Sequence, residues 1–132
     1  MVEFDFFGKD SRFNHIGLVV RSLSSVCPDC KGVRDSTQKV TVAFTEINGL
    51  SIELIEPLGE GSPVDASLRK DMKLLHICYS VPDVEEALAE CRAHGFHLIA
   101  KPVPAKAFAM RRIAWVFHKH FGLFELVEDA KT

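Results

Sequence analysis

"LLHICYSV", residues 74–81, has the composition of a β-strand: a run of aliphatic, β-branched and aromatic residues that ends directly before Pro82. His76 stands in its middle, between Leu75 and Ile77. One histidine in a half-buried strand is most often a core residue with a hydrogen-bond partner. A second stretch has the same shape. Laid over "LHICYSVPDV" (75–84), "NHIGLVVRSL" (14–23) puts His15 on His76, Ile16 on Ile77 and Val20 on Val81. Laid over "FELVED" (124–129), "IELIEP" (52–57) puts Glu53 on Glu125, Leu54 on Leu126 and Glu56 on Glu128. The histidines are 61 residues apart and the glutamates 72. The missing 11 residues lie between His15 and Glu53, where the second copy has a long helix.

The remaining elements fall into place around this repeat. "FNHIGLVV" (13–20) and "KVTVAFTEI" (39–47) read as strands, and Asn48-Gly49 is a hairpin signal that returns the chain into "LSIELIE" (50–56). The segment 21–38 is polar and broken by Pro28 and Gly32, leaving room for one helical turn and a short strand. A loop at 57–63 and a short helix at 64–72 follow. "PDVEEALAECRAHG" (82–95) is the clearest helix: Asp83 caps it, Glu85 and Glu86 suit its first turn, and Gly95 stops it. Val84, Leu88 and Cys91 share its apolar face, with Ala87 beside them. Strands are expected at 96–103, 113–118 and 123–128, with "PVPAKAFAMRR" (102–112) as a loop. The expected fold is α+β: one domain over 1–132, made of two β-α-β-β-β modules at about 12–57 and 73–129. Their mixed sheets curl around a cleft, and the first module lacks most of its helix.

Composition bounds the function. With 132 residues, 47% hydrophobic and 26% charged, the chain is long and apolar enough for one folded core. A net charge of −2 gives no electrostatic footprint for nucleic acid, and no apolar run reaches membrane-spanning length. The start, "MVEFDFFGKDSRF", is acidic where a secretory signal is basic, so a cytoplasmic location is expected. In that reducing setting Cys27, Cys30, Cys78 and Cys91 need not pair. "CPDC" (27–30) has no second C-x-x-C to complete a zinc ribbon. Free thiols in a loop are expected there, with a redox pair as the alternative.

The repeat gives His76 a second reading. A carboxylate between apolar neighbours, as Glu125 is between Phe124 and Leu126, costs several kcal/mol if buried without a partner. Each copy places one histidine in its first strand and one glutamate in its last. A single divalent cation would hold two imidazoles and two carboxylates together; the alternative is that the glutamates face solvent and the histidines are packed. Two nitrogens and two hard oxygens without thiolate suit Co, Ni, Mn, Fe or Zn in an open, octahedral arrangement. Such an ion polarises a carbonyl and stabilises an enolate oxygen.

"NHIGLVV", "IELIEPLGEGSPV", "LLHICYSVPDVEEALAECRAHGFHLI" and "LFELVE" together resemble the vicinal oxygen chelate (glyoxalase, bleomycin resistance, dioxygenase) superfamily, and most closely its methylmalonyl-CoA epimerase branch. The resemblance implies the glyoxalase-like fold, one divalent metal on His15, Glu53, His76 and Glu125, and Glu125 as an acid/base. It implies proton transfer next to a carbonyl of a small acyl-CoA or related carbonyl acid, and a homodimer. Alternatives within the superfamily are a non-catalytic binding protein and a glyoxalase I-like lyase. The second acid/base of the epimerases falls near Thr41 or Val42, which do not titrate usefully; Glu46 is the nearest carboxylate. Lys106, Arg111 and Arg112, with Lys101, are candidates for an anionic group of the substrate. His118 and His120 resemble a turn motif rather than ligands, and Asn14 is placed to order hydrogen bonds near His15.

Overall fold

The computed structural model describes residues 1–131. The elements in chain order are β1 (Arg12–Val19), α1 (Leu23–Val26), β2 (Val33–Asp35), β3 (Val40–Ile47), β4 (Leu50–Pro57), α2 (Asp65–Arg69), β5 (Leu74–Val81), α3 (Val84–Ala93), β6 (His97–Ala105), β7 (Arg111–His118) and β8 (Gly122–Glu128). The chain packs as two compact units, one of His15–His76 and one of Met1–Asn14 with the chain from Ile77 onward.

Each unit carries the strand order of the other. In the first repeat the order is β2-β3-β4-β1, in the second β6-β7-β8-β5. The first and last strands of each repeat are parallel neighbours, and the other pairs are antiparallel. The register agrees residue by residue. Gly17 lies opposite Glu53 and Leu18 opposite Leu54, as Cys78 lies opposite Glu125 and Tyr79 opposite Leu126. Phe44 lies opposite Glu53 on β3, as Trp115 lies opposite Glu125 on β7. The two β-α-β-β-β modules read from the sequence are therefore one unit of structure used twice, the glyoxalase-like fold.

The cores show the same correspondence. In the second repeat, Val84, Ala87, Leu88 and Cys91 of α3 pack on Val81, Ala114, Val116, Phe124 and Leu126, joined by Phe7 and Phe96. Each such aliphatic side chain contributes about 1.5–3 kcal/mol by leaving water, which outweighs the weak intrinsic stability of a ten-residue helix. Asp83 accepts from the Glu86 N–H at 3.0 Å, as its sequence position predicts. In the first repeat, Leu23 packs on Ala43, Ile52 and Leu54, with Cys27 and Cys30 against them. Leu23 is the sole buried residue of α1, which is one turn long.

The repeated pair Glu56 and Glu128 has a structural task. Glu56 accepts from the Leu23 N–H and Glu128 from the Val84 N–H, both at 2.9 Å. Each last strand thus supplies a carboxylate to the first amide of its own module's helix, where the dipole favours negative charge. Glu128 also accepts two bonds from Arg112, at 3.2 and 2.9 Å, and Arg112 pairs with Glu85 at 2.9 Å.

Two expectations are corrected. Residues 102–112 are not an open loop: β6 runs to Ala105 and β7 begins at Arg111. A 3-10 turn at Lys106–Phe108 joins them, with Ala109 and Met110 at φ 54° and 67°. Phe108 anchors this turn in a core of Cys78, Ala105, Ile113 and Val127. Cys27 and Cys30 are not free thiols but are joined in a disulfide, their Cα atoms 5.3 Å apart. The chain doubles back after α1, with the Cys30 N–H donating to the Cys27 carbonyl at 3.1 Å, and that brings the two side chains together.

The Arg112 guanidinium, ahead of the Val84 N–H, holds the Glu128 carboxyl below its ordinary value of 4.5. A depressed carboxyl stabilises the fold above the unfolded value and loses that contribution as pH falls through the folded one. Glu128→Gln is expected to lower the stability by about 1–3 kcal/mol at neutral pH. It is also expected to flatten the loss of stability below pH 4.5. Urea unfolding across that range checks both.

Candidate metal centre

Three of the four residues singled out by the repeat converge inside the His15–His76 unit. His15 on β1 and His76 on β5 are 0% and 2% exposed, and Glu53 on β4 is 4% exposed. Strand alternation places them: His15, Gly17 and Val19 share the buried face of β1. On β4 both faces are buried, so Ile52 and Leu54 enter the apolar core while Glu53 takes the opposite face.

His15 Nε2 lies 3.1 Å from His76 Nε2, and Glu53 Oε1 lies 3.4 Å from the first and 3.5 Å from the second. The two imidazole planes cross at 81°. Phe44 meets the His15 ring edge-on at 5.3 Å. Donor atoms bound at about 2.1 Å to one ion lie about 3.0 Å apart in octahedral and about 3.4 Å apart in tetrahedral geometry. The observed triangle has those dimensions, and its donors are two imidazole nitrogens and a hard oxygen. These residues suit a divalent cation of the Co, Ni, Mn, Fe or Zn kind.

Gly17 makes this arrangement possible. A Cβ at position 17 would fall within 2.7 Å of His76 Nε2, inside the space of the ring. The glycine is mid-strand, where the second repeat has Cys78. An interior strand glycine signals close approach of another group, so the sequence held the clue.

Glu125 is 2% exposed on β8, between buried Phe124 and Leu126. The solvent-facing alternative is therefore overturned for both glutamates. Asn14 donates to Ser80 Oγ at 2.7 Å. On β3, Thr41 lies opposite Glu56 and Val42 opposite Ile55; the residue opposite Glu53 is Phe44, which cannot carry a proton. Glu46 is exposed beside the Asn48-Gly49 turn, opposite Ser51.

Two of the four candidate cations, Arg111 and Arg112, have internal tasks. Arg112 is held by Glu85 and Glu128. Arg111 Nε donates to the Phe108 carbonyl at 3.1 Å, and its guanidinium lies 5.8 Å from the Phe108 ring centre. Lys106 and Lys101 are exposed. His118 accepts from the His120 N–H at Nδ1 and meets the His94 carbonyl through Nε2 at 3.1 Å, which fixes its proton on Nε2 and makes it a turn residue.

Gly17→Ala is expected to push the His76 ring out of the triangle at a cost of about 1–3 kcal/mol. Imidazole resonances of His76 and His15 in the metal-free protein should shift while the circular dichroism is unchanged. Unshifted resonances would show that the ring has room to spare.

Comparisons with known proteins agree with this architecture. The Glyoxalase/Bleomycin resistance protein/Dioxygenase superfamily matches residues 14–115. An ethylmalonyl-CoA/methylmalonyl-CoA epimerase from Cereibacter sphaeroides is 29% identical over 122 residues, covering 84% of this chain and 91% of the relative. Among solved structures, a hypothetical protein from Bacillus halodurans superposes with a TM-score of 0.77 at 30% identity, over 94% of this chain and 98% of that one. A Streptomyces coelicolor methylmalonyl-CoA epimerase variant in complex with 2-nitronate-propionyl-CoA gives 0.72 at 25% identity, over 91% and 98%. With its repeated strand order, its matched register and a family match over most of its length, the chain belongs to the glyoxalase/bleomycin resistance/dioxygenase superfamily.

Proposed function

We propose that the chain is an epimerase- or isomerase-type enzyme that moves a proton next to the carbonyl of a small acyl-CoA or related carbonyl acid. The observation that carries this reading is the buried triangle of His15, Glu53 and His76 in a relative of acyl-CoA epimerases. Glu125 would be the fourth ligand to one divalent cation held by these three. Its place in the repeat, matched to Glu53 in register, and its burial support that assignment.

A divalent cation held by these residues would withdraw charge from the substrate carbonyl and so acidify the adjacent C–H. His15 and His76 would hold it through Nε2, and their burial keeps water from that side. Glu53 balances charge that would be costly to bury alone. Glu125 takes the proton from the α-carbon and holds it at a carboxylate oxygen. Because Phe44 stands where β3 passes Glu53, no β3 side chain beside it returns a proton to the other face. Water supplies it, Glu125 releases its own proton to the hydroxide that remains, and solvent hydrogen enters the product. The protein acts in the cytoplasm as a homodimer; among the described residues no helix is long and apolar enough to cross a membrane.

Phe44 also favours a second reading, a non-catalytic protein of the same superfamily that sequesters a small molecule. Incubation with methylmalonyl-CoA in deuterated water separates the two. Deuterium at the α-carbon, reduced about 10²- to 10⁴-fold in Glu125→Gln, is expected for the enzyme. No exchange into any acyl thioester, with ligand binding that survives chelation, would establish the binder. A glyoxalase I-like lyase would leave acyl thioesters untouched and consume thiol adducts of aldehydes instead.

A further inference from the structure

The disulfide has no part in the chemistry above, yet it occupies a telling place. Under the 61-residue offset that lays His15 on His76, Leu23 falls on Val84, Val26 on Ala87, Cys27 on Leu88 and Cys30 on Cys91. These are the four residues that α3 buries. In the first repeat the helix stops at Val26, and Cys27 and Cys30 cover Leu23, Ala43, Ile52 and Leu54 in its stead. Cys91 differs in kind: it is 1% exposed, and burial pushes its thiol up to about 11. Cys27 and Cys30 are half-buried, and Pro28 and Asp29 between them face solvent.

We propose that Cys27 and Cys30 form a reversible thiol–disulfide site, cycled by an external dithiol, whose state sets the packing of α1 and β4 around Glu53. A bond that spans only two intervening residues removes little entropy from the unfolded chain, so its main effect is local rather than on global stability. Its local reach is defined by contacts. The bonded residues pack on Ile52 and Leu54, which flank Glu53 on β4. Glu56, three residues beyond Glu53, accepts from the first amide of α1.

The site is a target for exchange, not an oxidoreductase. Cys27 is the C-cap of α1 and Asp29 lies between the two cysteines, so no helix N-terminus faces the pair, unlike the activated cysteines of disulfide oxidoreductases. A thiolate of the external dithiol attacks one sulfur, forms a mixed disulfide and releases the other cysteine as a thiolate that takes a proton from water. The reductant's second thiolate then displaces the remaining cysteine. Two electrons reach the protein, and the reductant leaves as its own disulfide.

The test uses the whole chain without metal, so it stands apart from the cation reading. Hydrogen exchange at Leu23 and across residues 50–57 is followed in the oxidised chain, after dithiothreitol, and after reoxidation with glutathione disulfide. Reduction under native conditions is expected to expose two alkylable thiols, quicken exchange in both segments about five- to tenfold, and reverse on reoxidation. Cys27→Ser/Cys30→Ser should exchange at the fast rate with or without dithiothreitol. A bond reduced only in denaturant, or a reduced chain or serine variant that exchanges like the oxidised one, would overturn the proposal. The wild-type comparison before and after reduction stands even if the variant does not fold.

Discussion

Two imidazole nitrogens 3.1 Å apart and a carboxylate oxygen within 3.5 Å of both, all removed from water, are the constraint on which the rest of this structure turns. A buried carboxylate is costly unless something positive or proton-donating meets it. The chain gives up a side chain at Gly17 to admit the His76 ring, and it spends both faces of β4 to bury Glu53. An apolar strand position would be cheaper at each place. The arrangement makes sense when the site, rather than the core, decides those residues.

Duplication explains how so small a chain achieves it. One β-α-β-β-β pattern delivers a histidine on its first strand and, on its last, a glutamate in fixed register with that strand. Used twice, it doubles the donor set without new structure. The same economy appears away from the centre, where Glu56 and Glu128 each neutralise the start of their own module's helix. The second helix needs more, and Arg112 locks Glu128 in place. The first helix is one turn long, and a disulfide fills the positions that the second copy gives to core side chains.

What was legible in the sequence follows the range of the interactions. Strand alternation, the Asn48-Gly49 turn and the Asp83 cap are local, and all appear as read. The repeat makes non-local information local: with the two copies aligned, His15, His76 and Glu53 stand out together, and these three meet in the structure. The Cys27–Cys30 bond joins partners three residues apart, yet a lone C-x-x-C does not by itself distinguish a bonded pair from two free thiols. The tight turn after β6 was missed because Ala109 and Met110 carry no mark of a left-handed backbone. Arg112 looked like a free cation because its partners lie 16 and 27 residues away. Phe44 was overlooked because the slot opposite Glu53 depends on a register that only the folded hairpin sets.

If the duplicated histidines and glutamates exist to hold one ion, the purified protein must bind it. Elemental analysis of the purified chain, after incubation with Co, Ni, Mn, Fe and Zn salts and with His76→Ala as control, tests it most directly. About one equivalent of a divalent metal per chain, absent from a folded His76→Ala variant, is the predicted result. No retained metal from any of these ions, or equal metal in the variant, would contradict it and leave the triangle as a packed polar cluster.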